Sequence, residues 1–358
     1  MVVIFSIDDD TSTHHVMDWL HHLGEQVMIV YPQTLAVKIG VILDMVQQGE
    51  RPSFWFRKWS SAHHEQKYLN EESIKLLNYL HYITKDNCYW LNSPQDLDSN
   101  NKLIQPLIAQ GAGLKVAQQQ IVSKKSELLK IINEGKLFIT KSFGTAIYAN
   151  SDDDVLFFAY TQMVDDALLA KTPETFFPSL LQQYIEKEFE IRTFYLDGEC
   201  YSMAIFSQEN DKTKVDFRRY DNVLPNRNEP VRLPEAIEEK LRRFAVAYNT
   251  NCGSFDLIQD KTGQIYFLEF NSLGQFGMVS QPCGYMLEKR IAQLLKSKSR
   301  CNLQCERIAA PAEKLLPLCV QRMERVLEGG YELCFYSDFY ESDYATVRGL
   351  HKPIELIG

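Results

Sequence analysis

The stretch that most constrains this chain is residues 253–271. Gly253–Ile258 and Phe267–Asn271 read as two adjacent strands, joined through a turn at Asp260–Gly263. Apolar residues alternate with acids at the strand ends, the period-two pattern of a half-buried hairpin. Glu269 and Asn271 are two apart, so their side chains leave one face of their strand. Asp256 can join them from the neighbouring strand. Two carboxylates and an amide oxygen make a hard, oxygen-only cluster suited to Mg²⁺ carrying nucleotide phosphates. Judged on the hairpin alone, solvated surface acids are the commoner reading. The residues upstream decide between the two.

Composition narrows the classes. The 358 residues are 45% hydrophobic and 24% charged, ordinary for a globular chain with room for two or three domains. A net charge of -9 argues against nucleic acid as a partner, although a local basic channel is compatible with it. The first residues carry no basic n-region, so no signal peptide is expected. The apolar stretch Val27–Leu43 is interrupted by Pro32, Gln33 and Lys38, so no membrane partner is expected either. Eight cysteines without a secretion signal are expected to be reduced thiols of a cytoplasmic protein.

Residues 1–98 have the pattern of an α/β domain. Val2–Ile7 is a strand. Thr11, Ser12 or Thr13 caps a helix over His14–His22. Strands are expected at Val27–Tyr31, Leu35–Ile39, Ser53–Trp59 (with Arg57 near its end) and Cys88–Leu91, and a helix at Glu72–Ile83. The histidine pairs 14–15, 21–22 and 63–64 are adjacent in sequence and do not face one another on a helix, so they make poor chelators. Further on, Asn101 opens a helix that ends near Gly111. The pair Gly111 and Gly113 lacks the third glycine of a dinucleotide fingerprint, where Val116 stands. A strand Gln118–Val122 and a helix Lys124–Asn133 precede a strand with Lys141 at its end and a turn containing Gly144. No P-loop motif occurs anywhere. Residues 151–177 look less regular, with a strand over Val155–Met163. Glu190 and Arg192 share one strand face. A turn at Asp197–Gly198, a strand Tyr201–Phe206 and a charged loop with Asp216 and Arg218 follow. Pro234 opens an amphipathic helix through Tyr248. Gly274–Gly277 reads as a loop and Tyr285–Leu295 as a final helix.

The ordered run Asn101-Lys102-x-x-Gln105, Lys141, Gln183-Tyr184-Ile185, Glu190-Ile191-Arg192, Asp216-Phe217-Arg218, Asp256 and Glu269-x-Asn271 resembles the ATP-grasp fold over residues 99–298. Within that superfamily it looks most like the graspetide (microviridin-type) ligases, peptide maturases that install side-chain ester or amide links. The opening Phe5–Asp8, Ser12, Thr13, Val16, Trp19 and Leu20 resembles the start of their grasp-with-spasm subgroup. Leu268–Gln275 resembles their Leu-Glu-x-Asn-Pro-x-Gly-Gln segment, with Ser272 in place of the proline. The resemblance implies an α/β (α+β) protein with an N-terminal pre-ATP-grasp domain (1–98), an ATP-grasp domain (99–299, central part to 184 and C-terminal part from 185) and an extension (300–358). It implies ATP and Mg²⁺ as cofactors, and a ribosomal precursor peptide with a leader segment as partner. Residue by residue, Lys102 and Lys141 would contact phosphates, with Ser142 and Gly144 in the adjoining nucleotide loop. The backbone of Gln183, Tyr184 and Ile185 would meet the adenine edge, and Glu188 or Glu190 the ribose. Asp256, Glu269 and Asn271 would hold Mg²⁺. Arg192 and Arg218 would be catalytic, where the γ-phosphate and the acyl acceptor meet.

Each residue also has a plainer reading: Lys102 and Lys141 as surface lysines, Arg192 paired with Glu190, Arg218 with Asp216, Tyr184 and Ile185 as core. Three functions share these residues. The first is an ATP-dependent macrocyclase joining Asp or Glu to Ser, Thr or Lys. The second is an amino-acid ligase of the ribosomal-protein-modifying or glutathione-synthetase type. The third is a nucleotide-binding module without catalysis. After residue 300, partial helical periodicity over Ala309–Glu328 suggests a docking or oligomer arm, compatible with a homodimer. Cys301, Cys305, Cys319 and Cys334 lack the paired short spacing of a zinc site. Hydroxyls and acids over 336–346 raise the idea of a built-in substrate.

Overall fold

The computed structural model describes residues 1–59, 67–98, 100–133, 135–144, 147–149, 156–158, 160–209, 214–215, 225–300, 322–327 and 330–335. The chain opens with β1 (Val2–Phe5), α1 (Thr11–His22), β2 (Val27–Val30), α2 (Leu35–Gln47), β3 (Ser53–Phe56), α3 (Lys67–Thr84) and β4 (Trp90–Leu91). Its strands form a parallel sheet in the order β2-β1-β3-β4. Parallel pairing needs crossovers, which the helices provide. Alternate residues serve opposite faces. Val3, Phe5, Phe54, Phe56 and Trp90 pack under α2 and α3, where the Phe54 and Trp90 rings stack at 4.4 Å. Val2, Ile4, Trp55 and Leu91 point the other way.

The expected strand at Leu35–Ile39 is instead the first part of α2. Leu35, Val37 and Ile39 alternate over five residues, which mimics a strand, but the buried set is Leu35, Ile39, Ile42 and Met45, spaced by three and four. A 3-10 turn at Pro32–Thr34 launches the helix.

The second unit comprises α4 (Gln105–Gly111), β5 (Lys115–Val116), β6 (Gln119–Lys124), α5 (Lys125–Asn133), β7 (Phe138–Lys141), β8 (Ile147–Ala149), β9 (Leu156–Phe158), β10 (Gln162–Met163), α6 (Asp166–Lys171) and β11 (Thr175–Gln183). An antiparallel sheet in the order β10-β7-β11-β6 rests one face on α5 and α6 through Val122, Leu128, Ile131, Phe138, Leu169 and Leu181. The α6 helix lies in a segment that looks irregular in sequence. Asp165 caps it by accepting from the Leu168 amide at 2.8 Å.

The third unit comprises β12 (Lys187–Leu196), β13 (Glu199–Phe206), β14 (Arg227–Val231), α7 (Glu235–Tyr248), β15 (Cys252–Asp260), β16 (Ile265–Asn271), α8 (Gly277–Cys283) and α9 (Leu287–Lys298). The sheet order is β14-β13-β12-β15-β16-β5, the last pair parallel. One face buries Phe255, Phe267 and Phe270 against Leu241, Phe244 and Ala245 of α7. The other face meets the N-terminal sheet at one end through Phe194, Leu196, Met203 and Ile205. Helix α9 returns to cover that N-terminal sheet with Leu287, Ile291 and Leu295, and the Ser53 hydroxyl donates to the Leu295 carbonyl at 2.7 Å. Where a loop is expected at 274–277, its last residue already begins α8. In the extension, 322–327 is a strand, β17 (Arg322–Leu327), paired with β18 (Gly330–Phe335), rather than the expected end of a helix. The segment with Cys301, Cys305 and Cys319, the rest of that helix, and residues 336–346 lie outside the described residues, as do His63 and His64. No helix among the described residues is long and apolar enough to cross a membrane.

The start of β15 sits tightly against the end of β16. A Cβ on Gly253 would lie 2.3 Å from the Phe270 ring and 2.7 Å from the Asn271 carbonyl oxygen. Backbone atoms cannot yield as a flexible side chain does. Gly253→Ala is therefore expected to lower unfolding stability by about 1–3 kcal/mol, the usual cost of overpacking. Urea denaturation of the two proteins checks this, and an unchanged midpoint counts against the packing described.

Candidate active site

A cleft lies between the second sheet and the open half of the third. The second sheet contributes Ile139, Lys141 and Gln182. The connection between β11 and β12 contributes Gln183, Tyr184 and Ile185. The third sheet contributes Lys187, Glu190, Arg192, Asp256 and Glu269, with Ile205, Leu257, Ile258 and Leu268 as apolar wall. The sheet positions its charged group by register. Asp256 stands opposite Arg192 on β12 and opposite Glu269 on β16. Directly opposed residues on antiparallel strands share a face.

Two bulges set which residues reach the cleft. On β16 the register slips between the Asp256–Glu269 pair and the Leu257–Phe267 pair. The extra residue, Leu268, lets Glu269 join Asp256 on the cleft side while Phe267 and Phe270 both stay in the core on the other side. On β12 the slip falls between Lys187 and Phe189. It turns Lys187 into the cleft beside Glu190 and sends Glu188 out to solvent, where its carboxylate accepts from the Gln259 side-chain amide at 3.2 Å. Strict alternation would put Glu188 on the face of Glu190 and Arg192. The bulge is the physical reason that Lys187 takes its place.

The charges in the cleft are matched. Arg192 Nη1 donates to Asp256 Oδ1 at 2.5 Å. Lys102, only 4% exposed, places its Nζ 3.2 Å from Glu269 Oε2. Lys187 is bonded to Glu190, and both are buried. Arg192 thus pairs with Asp256, and Glu190 with Lys187, in place of an Arg192–Glu190 pair. Burial raises the Asp256 carboxyl above its ordinary range, and the neighbouring Glu269 carboxyl adds to this, against the opposing effect of Arg192. Burial likewise pushes Glu190 up to about 7, with Lys187 opposing. The Glu190 carboxylate is also held by the Ser207 side chain, whereas Arg192 Nε is a buried atom without a hydrogen-bond partner among the described residues. Orphaned buried atoms of this kind are rare unless a ligand or ion completes them.

Lys102 is held beside Glu269 by its own backbone. Its amide donates to the Phe143 carbonyl at 2.9 Å, so the turn after β7 leans on it. Gln105, three residues on, is fully buried. Its side-chain amide donates to the Phe270 carbonyl at 2.7 Å and accepts from the Phe270 amide at 2.9 Å, extending the sheet beside Glu269.

Of the sequence-expected residues, Lys141, Gln183, Tyr184, Ile185, Glu190, Arg192, Asp256 and Glu269 line the cleft, and Lys102 touches Glu269. Ser142, Gly144, Glu188 and Asn271 are not among its lining residues. Ser142 donates to the Gly144 carbonyl at 3.5 Å. Asn271 Oδ1 accepts from the Leu273 amide at 3.1 Å, closing the turn that ends β16. The amides of Gln183 and Tyr184 already donate to the carbonyls of Gln118 and Leu137, each at 2.8 Å, so an adenine edge would meet other atoms of that connection. Arg218 lies outside the described residues, as does Asp216. Sequence reasoning missed Lys187 and Leu268. The break in apolar alternation between Phe267 and Phe270 was the available sign of the second bulge.

The donor set fits a nucleotide with a divalent ion. Asp256 and Glu269 offer adjacent carboxylate oxygens, Lys102, Lys141, Lys187 and Arg192 offer cations, and the isoleucines and leucines offer apolar wall for a base.

No family model matches the chain, and no curated protein matches it by sequence. Solved structures do match. A RiPP-associated ATP-grasp ligase from Chryseobacterium gregarium, in complex with ADP and a leader and core peptide, superposes with a TM-score of 0.68 at 20% identity, covering 84% of this chain and 98% of that one. The macrocyclase MdnC from Microcystis aeruginosa, bound with precursor peptide MdnA, gives 0.65 at 18% identity, over 84% of this chain and 100% of the other. The ATP-grasp ligase PsnB, complexed with minimal precursor, Mg and ADP, gives 0.61 at 14% identity, over 83% and 96%. The sheet order, the cleft between the second and third sheets and these matches agree on one conclusion: the chain has the α/β ATP-grasp fold, in the form seen in RiPP ATP-grasp ligases.

Proposed function

We propose that this protein is an ATP-dependent peptide ligase that phosphorylates Asp or Glu side chains of a ribosomal precursor peptide and joins them to Ser, Thr or Lys as esters or amides. The observation that carries the reading is the pairing of Asp256 with Arg192 and of Glu269 with Lys102 on neighbouring strands of one cleft. Carboxylates for a metal stand there within reach of fixed cations for phosphate. The fold match to ligases solved with ADP and peptide supports it.

Asp256 and Glu269 would hold Mg²⁺, with Asn271 proposed as a third ligand on sequence alone, and Lys102 and Lys141 would contact phosphates. Bound Mg-ATP would supply the transferable phosphoryl group and neutralise the charge that develops on it. Arg192 lines the cleft, and its guanidinium has donors beyond the one given to Asp256, so it can hold one more anion. That suits a group placed where an incoming carboxylate and a phosphate meet. The peptide carboxylate oxygen attacks phosphorus, leaving an acyl phosphate and ADP. A hydroxyl or amine then attacks the acyl carbon, phosphate departs, and the nucleophile gives up its proton. Holding both peptide groups together supplies much of the acceleration. Glu190, buried and partnered by Lys187, would take the ribose side. Arg218 is proposed for the acceptor side on sequence alone.

Incubation with Mg-ATP and candidate precursor peptides, read by mass spectrometry, tests the reading. Loss of water units that requires ATP is the expected result. Gain of an amino-acid residue mass would move the assignment to an amino-acid ligase, and ATP binding with neither change to a nucleotide-binding module. Glu269→Gln and Asp256→Asn are expected to lower turnover by about a hundredfold or more, as for loss of a metal-side charge, with circular dichroism unchanged. Wild-type turnover in either variant contradicts the metal assignment.

Glu190 adds a pH dependence. Its native pKa of about 7 exceeds that of an unfolded glutamate, so between roughly pH 4.5 and 7 the native state holds a proton that the unfolded chain has lost. The stability this contributes is complete below pH 4.5 and is lost as pH rises through 7, by at most about 3 kcal/mol. Glu190→Gln should flatten that slope. Urea unfolding of both proteins at pH 5 and pH 8 decides it, and parallel curves count against a protonated Glu190.

A further inference from the structure

Arg57 makes four side-chain hydrogen bonds outside the cleft, and the reaction proposed above gives it no part. It stands just after β3 in the N-terminal unit and is 2% exposed. Its Nη1 donates to the Leu273 carbonyl at 2.7 Å and to the Gly274 carbonyl at 3.2 Å. Its Nη2 donates to Gln275 Oε1 at 3.0 Å, and its guanidinium lies 5.4 Å from the Phe276 ring centre. Its Nε donates to Asp10 Oδ2 at 3.2 Å. Asp10 is buried as well and also receives Lys58 at 2.8 Å and the Thr13 hydroxyl at 2.6 Å. Burial pushes the Asp10 carboxyl up, but Arg57, Lys58 and Thr13 together hold it below its ordinary range.

The residues that Arg57 gathers are the four that follow Ser272, directly after Glu269 and Asn271. Ser272 is held from the same side. The Asn92 side-chain amide donates to its carbonyl at 2.8 Å, and the Asp96 carboxylate, buried among N-terminal residues, is hydrogen-bonded to its hydroxyl. The carbonyls of residues 272, 273 and 274 are thus all received by donors from residues 1–98. Within the third unit the turn is closed by Asn271, whose carbonyl accepts the Gly274 amide at 3.0 Å and whose Oδ1 accepts the Leu273 amide at 3.1 Å. A Cβ on Gly274 would meet the Ser254 hydroxyl at 2.5 Å, so the turn has little room to settle elsewhere.

We infer that Arg57 is a positioning residue for the metal end of the cleft: the N-terminal unit, through Arg57 with Asn92 and Asp96, fixes the turn at 272–275 and so the placement of Glu269. This rests on the assignment of Asp256 and Glu269 as the Mg²⁺ carboxylates. A planar fork with five donors in fixed directions can hold two carbonyls, an amide oxygen and the Asp10 carboxylate at once, more acceptors than the three donors of a lysine ammonium can serve. Arg57 touches neither carboxylate, so its loss leaves the ligands present but loosely held. Removing a group that orients metal ligands typically weakens metal binding by 10–100-fold.

The test is a magnesium titration of ADP binding by calorimetry on the full-length protein, alongside thermal melts. Wild type, Arg57→Lys, Arg57→Met and Gln275→Ala are compared. The Mg²⁺ midpoint is expected to rise about tenfold or more in Arg57→Met and by less in Arg57→Lys. ADP affinity without Mg²⁺ should stay within about twofold, since the phosphate and base contacts are elsewhere. Gln275 is exposed, so Gln275→Ala should fold normally and shift the midpoint modestly in the same direction. Folded Arg57 variants with the wild-type Mg²⁺ midpoint overturn the inference. If the Arg57 variants do not fold, an unchanged midpoint in Gln275→Ala overturns it. Wild-type protein whose ADP binding ignores Mg²⁺, while Asp256→Asn binds ADP equally well, overturns the metal assignment and the inference with it.

Discussion

Two carboxylates face each other across β15 and β16, and the rest of the cleft is arranged to make that tolerable. Asp256 and Glu269 are brought together by strand register, and the Glu269 carboxyl adds to the burial that raises the Asp256 carboxyl. Arg192 takes one of them and Lys102 the other. A buried ion pair is weak evidence for stability, because desolvation offsets most of the attraction. Two such pairs side by side, with one guanidinium nitrogen still unsatisfied, make more sense as an arrangement for a ligand than as a way to hold a sheet together. A cation-bearing anion can replace the pairings without leaving any member bare.

The surrounding fold serves that small group from three directions. The aromatic set of Phe244, Phe255, Phe267 and Phe270 fixes the back of the sheet behind the carboxylates. Gln105 stitches the edge of β16 to the start of α4, the same turn that delivers Lys102. The N-terminal unit grips the turn that ends β16. Its own sheet is covered by α9 from the far end of the chain, so the first and third units share a hydrophobic cluster as well as the polar contacts at 272–275. The second sheet, by contrast, has a separate cluster of its own on the side away from the cleft. It meets the third sheet through a short connection at Tyr184–Glu186.

Much of this was legible in the residues. The hairpin stood out because acids interrupt an apolar alternation, and the structure places Asp256 and Glu269 as that pattern implies. Glu190 and Arg192 were legible for the same reason. What strict alternation hides is a bulge. It displaced Glu188 in favour of Lys187 and kept Phe267 and Phe270 on one face although they are three apart. Helix α2 was misread because five residues with apolar side chains at every other position satisfy both periods, and only the burial of Ile42 and Met45 decides for a helix. Long-range polar contacts were not legible at all. Nothing near Arg57 in sequence announces that its partners are residues 273–275.

Ser272 shows how such contacts alter the meaning of a local departure. In the sequence pattern it stands where the resembled ligases carry proline, a departure that changes the local stiffness of the turn. In the structure its hydroxyl has a buried carboxylate, Asp96, and its carbonyl has Asn92. Proline would stiffen the backbone by fixing φ, and it offers no hydroxyl to Asp96. The serine obtains stiffness from outside the turn, by tying it to another unit of the chain. The two solutions differ in what they depend on. A proline turn is rigid whatever its neighbours do, whereas the serine turn is only as rigid as the N-terminal unit that holds it, so the placement of Glu269 becomes a property of both units together.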